Sequence, residues 1–176
     1  DTITPTAEAG VSMELNCEFQ NITLDGTSSS MGNHFSYEWT TNDGNISSNQ
    51  QSLLPTVNQL GTYYLEVENN LNGCITEDSV FVSQNIINPI AIAGLDTLIT
   101  CENPILILDG SGSSVGIDYI YQWTATNGGI IDNNDTTLQP QISNPGNYEL
   151  VVTDTSNGCS VTDLLIVDID TNTPTA

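Results

Sequence analysis

Apolar and polar side chains alternate in several short segments of the chain. Residues 63–68 and 148–153 each place an aromatic or aliphatic side chain at every second position. A period of two predicts a β-strand with one buried face. Further rows with this spacing are Ile22 and Leu24; Phe35, Tyr37 and Trp39; and Val80 and Val82. Apolar stripes with helical spacing never exceed one turn, so the pattern predicts strands throughout.

Clusters of Asn, Asp, Gly and Ser separate these segments, and such residues favour turns. The clusters lie at residues 25–28, 42–45 and 69–73, with counterparts at 111–112, 127–129 and 157–158. About seven strands in about 85 residues, separated by turns, are typical of an antiparallel β-sandwich. The fold class is therefore predicted to be all-β.

The chain aligns with itself, which indicates an internal repeat. At an offset of 84 residues, Cys17 coincides with Cys101, Trp39 with Trp123 and Gly44 with Gly128. After a one-residue insertion the offset is 85, and Tyr63 coincides with Tyr148 and Cys74 with Cys159. The sequence therefore predicts two copies of one module.

The boundaries of the modules follow from this alignment. Repeat 1 is predicted over residues 1–87 and repeat 2 over residues 88–172. Residues 1–7 match residues 170–176, so a third repeat is expected to start at residues 173–176. The N-terminal residues lack the features of a signal peptide, and the chain is interpreted as a segment of a longer tandem array.

The chain of 176 residues carries 22 acidic side chains, one histidine and no lysine or arginine, a formal net charge of −22. Nucleic acids and anionic membrane surfaces bind proteins through basic side chains, so both are excluded as partners. Salt bridges to lysine or arginine are impossible. Stability must therefore come from apolar burial, backbone hydrogen bonds, disulfides or bound cations.

Two positions in each module resemble hallmarks of immunoglobulin-like (Ig-like) domains. Trp39 and Trp123 lie in a Tyr-x-Trp segment, where such domains have their core tryptophan, and Tyr63 and Tyr148 belong to a Gly-x-Tyr-x-Leu-x-Val segment that resembles the tyrosine corner. Each module also contains Ala-x-Ala-Gly, Leu-Asp-Gly-(Ser/Thr) and Asn-Gly-Cys. The whole pattern resembles the PKD-like, Ig-like repeats of giant bacterial surface adhesins and extracellular filament proteins.

That resemblance implies two tandem immunoglobulin-like (PKD-like) antiparallel β-sandwiches in a secreted or cell-surface protein. The implied role is a structural shaft that gives reach, stiffness and protease resistance, with neighbouring repeats of the same chain as partners and no enzymatic activity. The alternative is a carbohydrate- or protein-binding module of a secreted adhesin or enzyme. Carbohydrate sites usually present surface aromatics, and only Tyr64 and Tyr119 are expected to point outward. His34 has no counterpart in repeat 2 and is not expected to be catalytic.

Four cysteines, two per module and without zinc-ligand spacing, indicate disulfides in an oxidising compartment. In a sandwich of this strand order, Cys17 and Cys74 are expected at opposite ends of the module, whereas a disulfide needs Cα atoms within about 7 Å. The favoured interpretation is a staple between Cys17 and Cys159 of adjacent modules, with Cys74 and Cys101 paired to modules before and after. Pairing within a module and free thiols remain the alternatives.

No motif requires a cofactor, and calcium is the one candidate ion because carboxylate and carbonyl oxygens are its preferred ligands. Asp168 and Asp170, near the module junction, are the strongest candidate ligands. A hydrated acidic surface without a specific site is the alternative.

Several positions that are polar in repeat 1 are apolar in repeat 2, and exposed apolar stripes mark contact surfaces. This pattern predicts a candidate lateral interface for a homo-oligomer in a filament, with drift between the repeats as the alternative. The residues are Ile105, Ile107, Ile117, Ile120 and Ile131, the last aligned with Ser47.

Candidate glycosylation sites form a further group, although such short motifs also arise by chance in a chain rich in Asn, Ser and Thr. The Asn-x-(Ser/Thr) acceptors are Asn21, Asn45 and Asn134. The Asp-(Ser/Thr) sites resemble the O-glycosylation motif of the bacterial group that has such adhesins, and they are Thr2, Ser79, Thr97 and Thr136.

Overall fold

The computed structural model describes residues 3–170 of the chain. These residues divide into two modules, and the division falls between Ile86 and Ile87, one residue before the expected boundary. Every regular element between residues 3 and 170 is a β-strand, and no helix there has the length and hydropathy needed to cross a membrane. The predictions for Thr2 and for a third repeat at residues 173–176 lie outside the described residues.

Within residues 3–170, each module contains seven strands. Those of the first module are β1 (Met13–Asn16), β2 (Ile22–Thr23), β3 (Phe35–Thr41), β4 (Ile46–Ser48), β5 (Thr56–Val57), β6 (Gly61–Asn69) and β7 (Cys74–Asn85). Those of the second module are β8 (Thr97–Ile99), β9 (Leu106–Ile107), β10 (Tyr119–Thr126), β11 (Ile131–Asn133), β12 (Gln141–Ile142), β13 (Gly146–Asp154) and β14 (Cys159–Ile169).

The strands of each module form a sandwich of two sheets. In the first module the four-stranded sheet has the order β1-β7-β6-β3, and the three-stranded sheet has the order β2-β5-β4. The second module repeats both orders, as β8-β14-β13-β10 and β9-β12-β11. β1 runs parallel to β7 and β8 runs parallel to β14, whereas the other paired strands are antiparallel. The predicted fold of two Ig-like β-sandwiches is confirmed.

A separate hydrophobic core fills each sandwich, and a tryptophan lies at its centre. Trp39 and Trp123 are almost completely buried, and the indole Nε1–H of each donates to a backbone carbonyl at 2.9 Å, those of Ser52 and Thr137. Burial of the indole therefore leaves no unpaired donor, which would otherwise cost free energy. The alternation along β6 and β13 directs Leu65 and its counterparts into these cores, as the period of two predicts.

Tyr63 and Tyr148 form tyrosine corners. Each hydroxyl donates to the carbonyl four residues upstream, Tyr63 to Gln59 at 2.5 Å and Tyr148 to Asn144 at 2.6 Å. Each hydroxyl also accepts a backbone N–H from the loop after the tryptophan strand, at 3.0 and 3.1 Å respectively. The tyrosine therefore connects two loops at one end of the sandwich, in the manner of an Ig-like domain.

These contacts correct the alignment of the two repeats. A Cβ atom on Gly44 would meet the ring of Tyr63, and a Cβ atom on Gly129 would meet the ring of Tyr148. Gly44 therefore corresponds to Gly129, and the predicted match with Gly128 is wrong. The inserted residue lies earlier than expected, in the turn between β10 and β11.

Candidate functional sites at the two ends of each module

The cysteines of the first module lie at its two ends. The chain enters the module at what we call the proximal end, which contains Cys74. Asn72 lies at the same end, because its Nδ2 donates to the carbonyl of Ile3 at 3.0 Å. The distal end, where β7 leaves, contains Cys17, which directly follows the pairing of Asn16 with Asn85. β7 has 12 residues and at about 3.3 Å per residue is about 36 Å long. A disulfide across this length cannot form.

The second module has the same arrangement. At its proximal end Asn157 donates from Nδ2 to the carbonyl of Ile87 at 2.9 Å and accepts the backbone N–H of Cys159 at 2.9 Å. At its distal end Cys101 follows β8, whose Ile99 pairs with Ile169 at the end of β14. Each module therefore presents one cysteine at each end.

The four cysteines differ in their chemical state. Cys17 and Cys159 are disulfide-bonded, whereas Cys74, which is half-buried, and Cys101, which is exposed, carry free thiols. Neither module therefore contains a disulfide between its own two cysteines.

The segment that enters each module is anchored by side chains rather than by strand pairing. In the first module the hydroxyls of Ser29 and Ser30 each accept a backbone N–H of residues 3–10 at 2.9 Å. Asp78 Oδ2 accepts the backbone N–H of Ala9 at 2.7 Å. A hydrogen bond to a charged acceptor stabilises a fold by about 1.5–3 kcal/mol, so this anchor is substantial.

The second module repeats this anchor residue for residue. Ser113 and Ser114 accept backbone N–H groups from Ile92 and from residue 90, both at 2.9 Å, and Asp163 Oδ2 accepts the N–H of Ala93 at 2.7 Å. The Ala-x-Ala-Gly motif is therefore the anchored segment.

Sequence reasoning did not assign these anchoring roles. The serine pairs coincide at an offset of 84 and the two aspartates at an offset of 85. Polar identity between the copies is the signal that could have identified them. Asp78 and Asp163 lie within strands β7 and β14, and their carboxylates are engaged in anchoring.

The structure of residues 3–170 shows where the two residues proposed for calcium lie. Asp168 lies exposed on β14, and Asp170 donates its backbone N–H to the carbonyl of Ile99 at 2.9 Å. Between residues 3 and 170 no group of three or more His, Cys, Asp or Glu side chains is arranged to hold a metal ion. In two turns, hydrogen bonds from a hydroxyl and a backbone N–H lower the pKa of an aspartate: those of Thr27 act on Asp25 and those of Ser111 act on Asp109. These two carboxylates are therefore already bound within their own turns.

The isoleucines of the predicted lateral interface do not form one stripe. Ile120 lies on β10 of the four-stranded sheet, whereas Ile107 lies on β9 of the three-stranded sheet, and Ile105 and Ile117 lie outside the strands. These four side chains are exposed.

The prediction that Ile131 belongs to an exposed stripe is wrong, because its side chain packs against the core of the second module. Its strand partner is the buried Ile142, as Val57 is the partner of Ile46. Ile131 therefore corresponds to Ile46 and not to Ser47. The misplaced insertion shifted the alignment by one residue, and such a shift moves every side chain to the opposite face of a strand.

The remaining predicted surface residues are accessible to different degrees. His34 is exposed in the turn before β3. Tyr64 is half-buried on β6, and Tyr119 is half-buried, packs against the core and lines a shallow groove of about 430 Å³ beside Ile120. The candidate glycosylation sites Asn21, Asn45, Asn134, Ser79 and Thr136 are exposed, and Thr97 is half-buried.

Burial of the tyrosine corners predicts a loss of stability at alkaline pH. Desolvation raises the pKa of Tyr63 and of Tyr148 above its usual value near 10. A raised pKa in the folded state gives stability that is complete below pH about 10 and is lost as the pH rises through the folded pKa. The free energy of unfolding, measured in urea from pH 7 to 11.5 with the free thiols alkylated, is therefore expected to decrease above pH 10.

The matched variant is Tyr63→Phe with Tyr148→Phe. It should be less stable than the parent at neutral pH, because the hydroxyl hydrogen bonds are lost, and its stability should decrease less steeply above pH 10. The chain has no lysine, so no side-chain ammonium group titrates in this range. Equal slopes for parent and variant would contradict the assignment.

Comparison with known proteins finds solved structures to which the chain is similar. No protein-family model and no curated protein matches it. Among solved structures it is similar to the I-band fragment I67-I69 from titin, at 10% identity and a TM-score of 0.47 over 96% of this chain and 66% of that one. It is also similar to the three N-terminal domains of the bacteriophage RB49 outer capsid protein Hoc, at 16% identity and a TM-score of 0.43, over 93% of this chain and 59% of that one.

A third similar structure is Drosophila N-cadherin EC1-4, at 9% identity and a TM-score of 0.40 over 96% of this chain and 50% of that one. The chain thus spans about half to two thirds of these three structures. At such identities the likeness carries no information on function, and the fold assignment depends on the strand order and the cores.

Proposed function

We propose that the chain is a structural segment of an extracellular adhesin or filament, in which consecutive Ig-like modules are joined stiffly to give reach. The observation that carries this proposal is the shortness of the connection. Asn85 is paired with Asn16 in the first module, and the carbonyl of Ile87 is held by Asn157 in the second. Only Ile86 lies between these two anchored positions, so few backbone torsions are left to bend the junction.

A disulfide between Cys17 and Cys159 would restrict the junction further. Cys17 is next in sequence to Asn16, and Asn157 binds the backbone N–H of Cys159. Asn16 pairs with Asn85, and Asn157 binds the carbonyl of Ile87. Residues 85 and 87 are two positions apart in the chain, so their Cα atoms lie within about 7 Å of each other. Both cysteines are disulfide-bonded, and the other two are free. These facts support the proposed staple between adjacent modules.

The chemistry of the chain fits an extracellular setting. Disulfides persist in oxidising compartments, and trypsin-like proteases have no lysine or arginine at which to cut this chain. A net charge of −22 favours solubility and opposes collapse of modules onto one another, most strongly at low salt.

Single-molecule energy transfer tests the stiffness. Cys74 and Cys101 are free, belong to different modules and can carry the two dyes without other changes. We expect a narrow distribution of transfer efficiency in the disulfide-containing chain and a broader one in the variant Cys17→Ser with Cys159→Ser, which keeps both labelling sites. A broad distribution in the disulfide-containing chain would overturn the proposed function.

The pairing itself is read by mass spectrometry of a non-reduced digest with an Asp- or Glu-specific protease. We expect a peptide containing Cys17 joined to one containing Cys159. Recovery of Cys17 joined to Cys74 would reject the staple.

A further inference from the structure

The two free cysteines occupy the same positions in their modules as the two disulfide-bonded ones. Cys101 is the counterpart of Cys17 at an offset of 84, and Cys74 is the counterpart of Cys159 at an offset of 85. Each module thus has a distal cysteine and a proximal cysteine, and one of each kind is oxidised.

The local structure around the distal cysteines is the same. Cys17 lies in a turn closed by the N–H of Asn16 and the carbonyl of Phe19 at 3.1 Å, and Cys101 in a turn closed by the N–H of Thr100 and the carbonyl of Asn103 at 3.2 Å. In both turns the side chain of the first residue accepts a backbone N–H from the last, at 2.7 Å in the first module and 3.0 Å in the second.

The proximal cysteines also share their surroundings. The N–H of Cys74 binds Asn72 Oδ1 at 2.9 Å, just as the N–H of Cys159 binds Asn157 Oδ1. The asparagine Nδ2 in each case binds the carbonyl of the entering segment. Neither free thiol has been removed from solvent, because Cys101 is exposed and Cys74 is half-buried.

We infer that the distal end of one module is complementary to the proximal end of another, so that Cys101 of one copy forms a disulfide with Cys74 of another. The partner is thus a second copy of the same module, joined head to tail. The inference rests on the proposed function, because it extends the staple proposed for the internal junction to junctions between copies. The inference predicts that a distal end pairs with a proximal end in preference to another distal end, and that a proximal end likewise avoids a second proximal end.

The bond forms by oxidation. The two thiols release two protons and two electrons as their sulfurs join, and a small disulfide such as oxidised glutathione accepts them, cleaving into two thiols. The structure holds no oxidant, so the reaction requires an added one or an oxidising compartment.

The test uses the full chain in two variants, Cys74→Ser and Cys101→Ser, each with one free thiol and with the Cys17 and Cys159 disulfide chemistry unchanged. One variant is isotope-labelled, and equal amounts of the two are mixed with oxidised glutathione. The salt concentration is about 1 M, at which repulsion between the acidic chains is screened beyond about 3 Å. The masses of the intact dimers are then measured by mass spectrometry. Random pairing gives equal amounts of mixed and like dimers, and we expect the mixed dimer to exceed the like dimers by about fivefold or more, which corresponds to about 1 kcal/mol.

Two results would overturn the inference. Dimers in random proportion would show ordinary thiol oxidation without recognition of the ends, and the absence of any dimer would show that the ends do not meet. The variant lacking both Cys74 and Cys101 is the control and should stay monomeric. Stiffness within one chain is read separately by energy transfer, so failure of this inference and failure of the proposed function give different signatures.

Discussion

Replacing Trp123 by alanine is expected to destabilise the second module by about 3–5 kcal/mol, as truncation of a buried aromatic side chain does. The indole is almost completely buried, and its loss also leaves the carbonyl of Thr137 without its donor. Each module has its own core, so the first module should keep its stability.

The single tryptophan of each module makes this test selective. In Trp123→Ala the only remaining indole is that of Trp39, so urea unfolding followed by fluorescence reports the first module and its midpoint should be unchanged. Calorimetry should show the second transition at lower temperature. The reciprocal Trp39→Ala variant should shift the other transition, and equal shifts of both transitions in either variant would contradict independent cores.

Replacing Gly61 by alanine is expected to destabilise the first module by about 2–6 kcal/mol, combining about 1–3 for an unfavourable φ with about 1–3 for overpacking. Gly61 has φ of +154°, and an added Cβ would lie 2.8 Å from the backbone nitrogen of Gly44 and 2.8 Å from Asp43 Oδ1. The backbone nitrogen cannot move without disturbing the loop that holds Tyr63.

Gly73→Ala is the matched control in the same module. Its φ of +71° is also unfavourable for alanine, but an added Cβ would meet no atom within 4 Å. The expected cost is about 1–2 kcal/mol, from the backbone conformation alone. Calorimetry of the first transition compares the two variants, and equal losses would show that the close approach at Gly61 has no energetic weight.

The sequence predicted the strands and cores because both follow from local alternation. The rows of Tyr63 and of Trp39 required only a period of two, and the strand count followed from the turn clusters. The opposite placement of Cys17 and Cys74 was also correct, since it depends on strand order alone. These features are set by the pattern of burial.

The remaining features depend on contacts distant in sequence. Asp78 and Ala9 are 69 residues apart, and nothing in either neighbourhood identifies a carboxylate that anchors an entering segment. The error at Ile131 arose from the misplaced insertion, and the adjacent isoleucines at 130 and 131 gave no local sign of the one-residue shift. The close approach of Gly129 to Tyr148 and the pairing of Ile131 with Ile142 show where the inserted residue lies.

The parallel pairing of β1 with β7 determines how a module would respond to tension. The chain enters by the segment before β1 and leaves along β7, and four residue pairs from Met13 with Val82 to Asn16 with Asn85 join the two strands. A force that pulls the two termini apart loads these pairs in shear, so they must break together rather than unzip one after another. Each intact sandwich would therefore resist extension until all four pairs break.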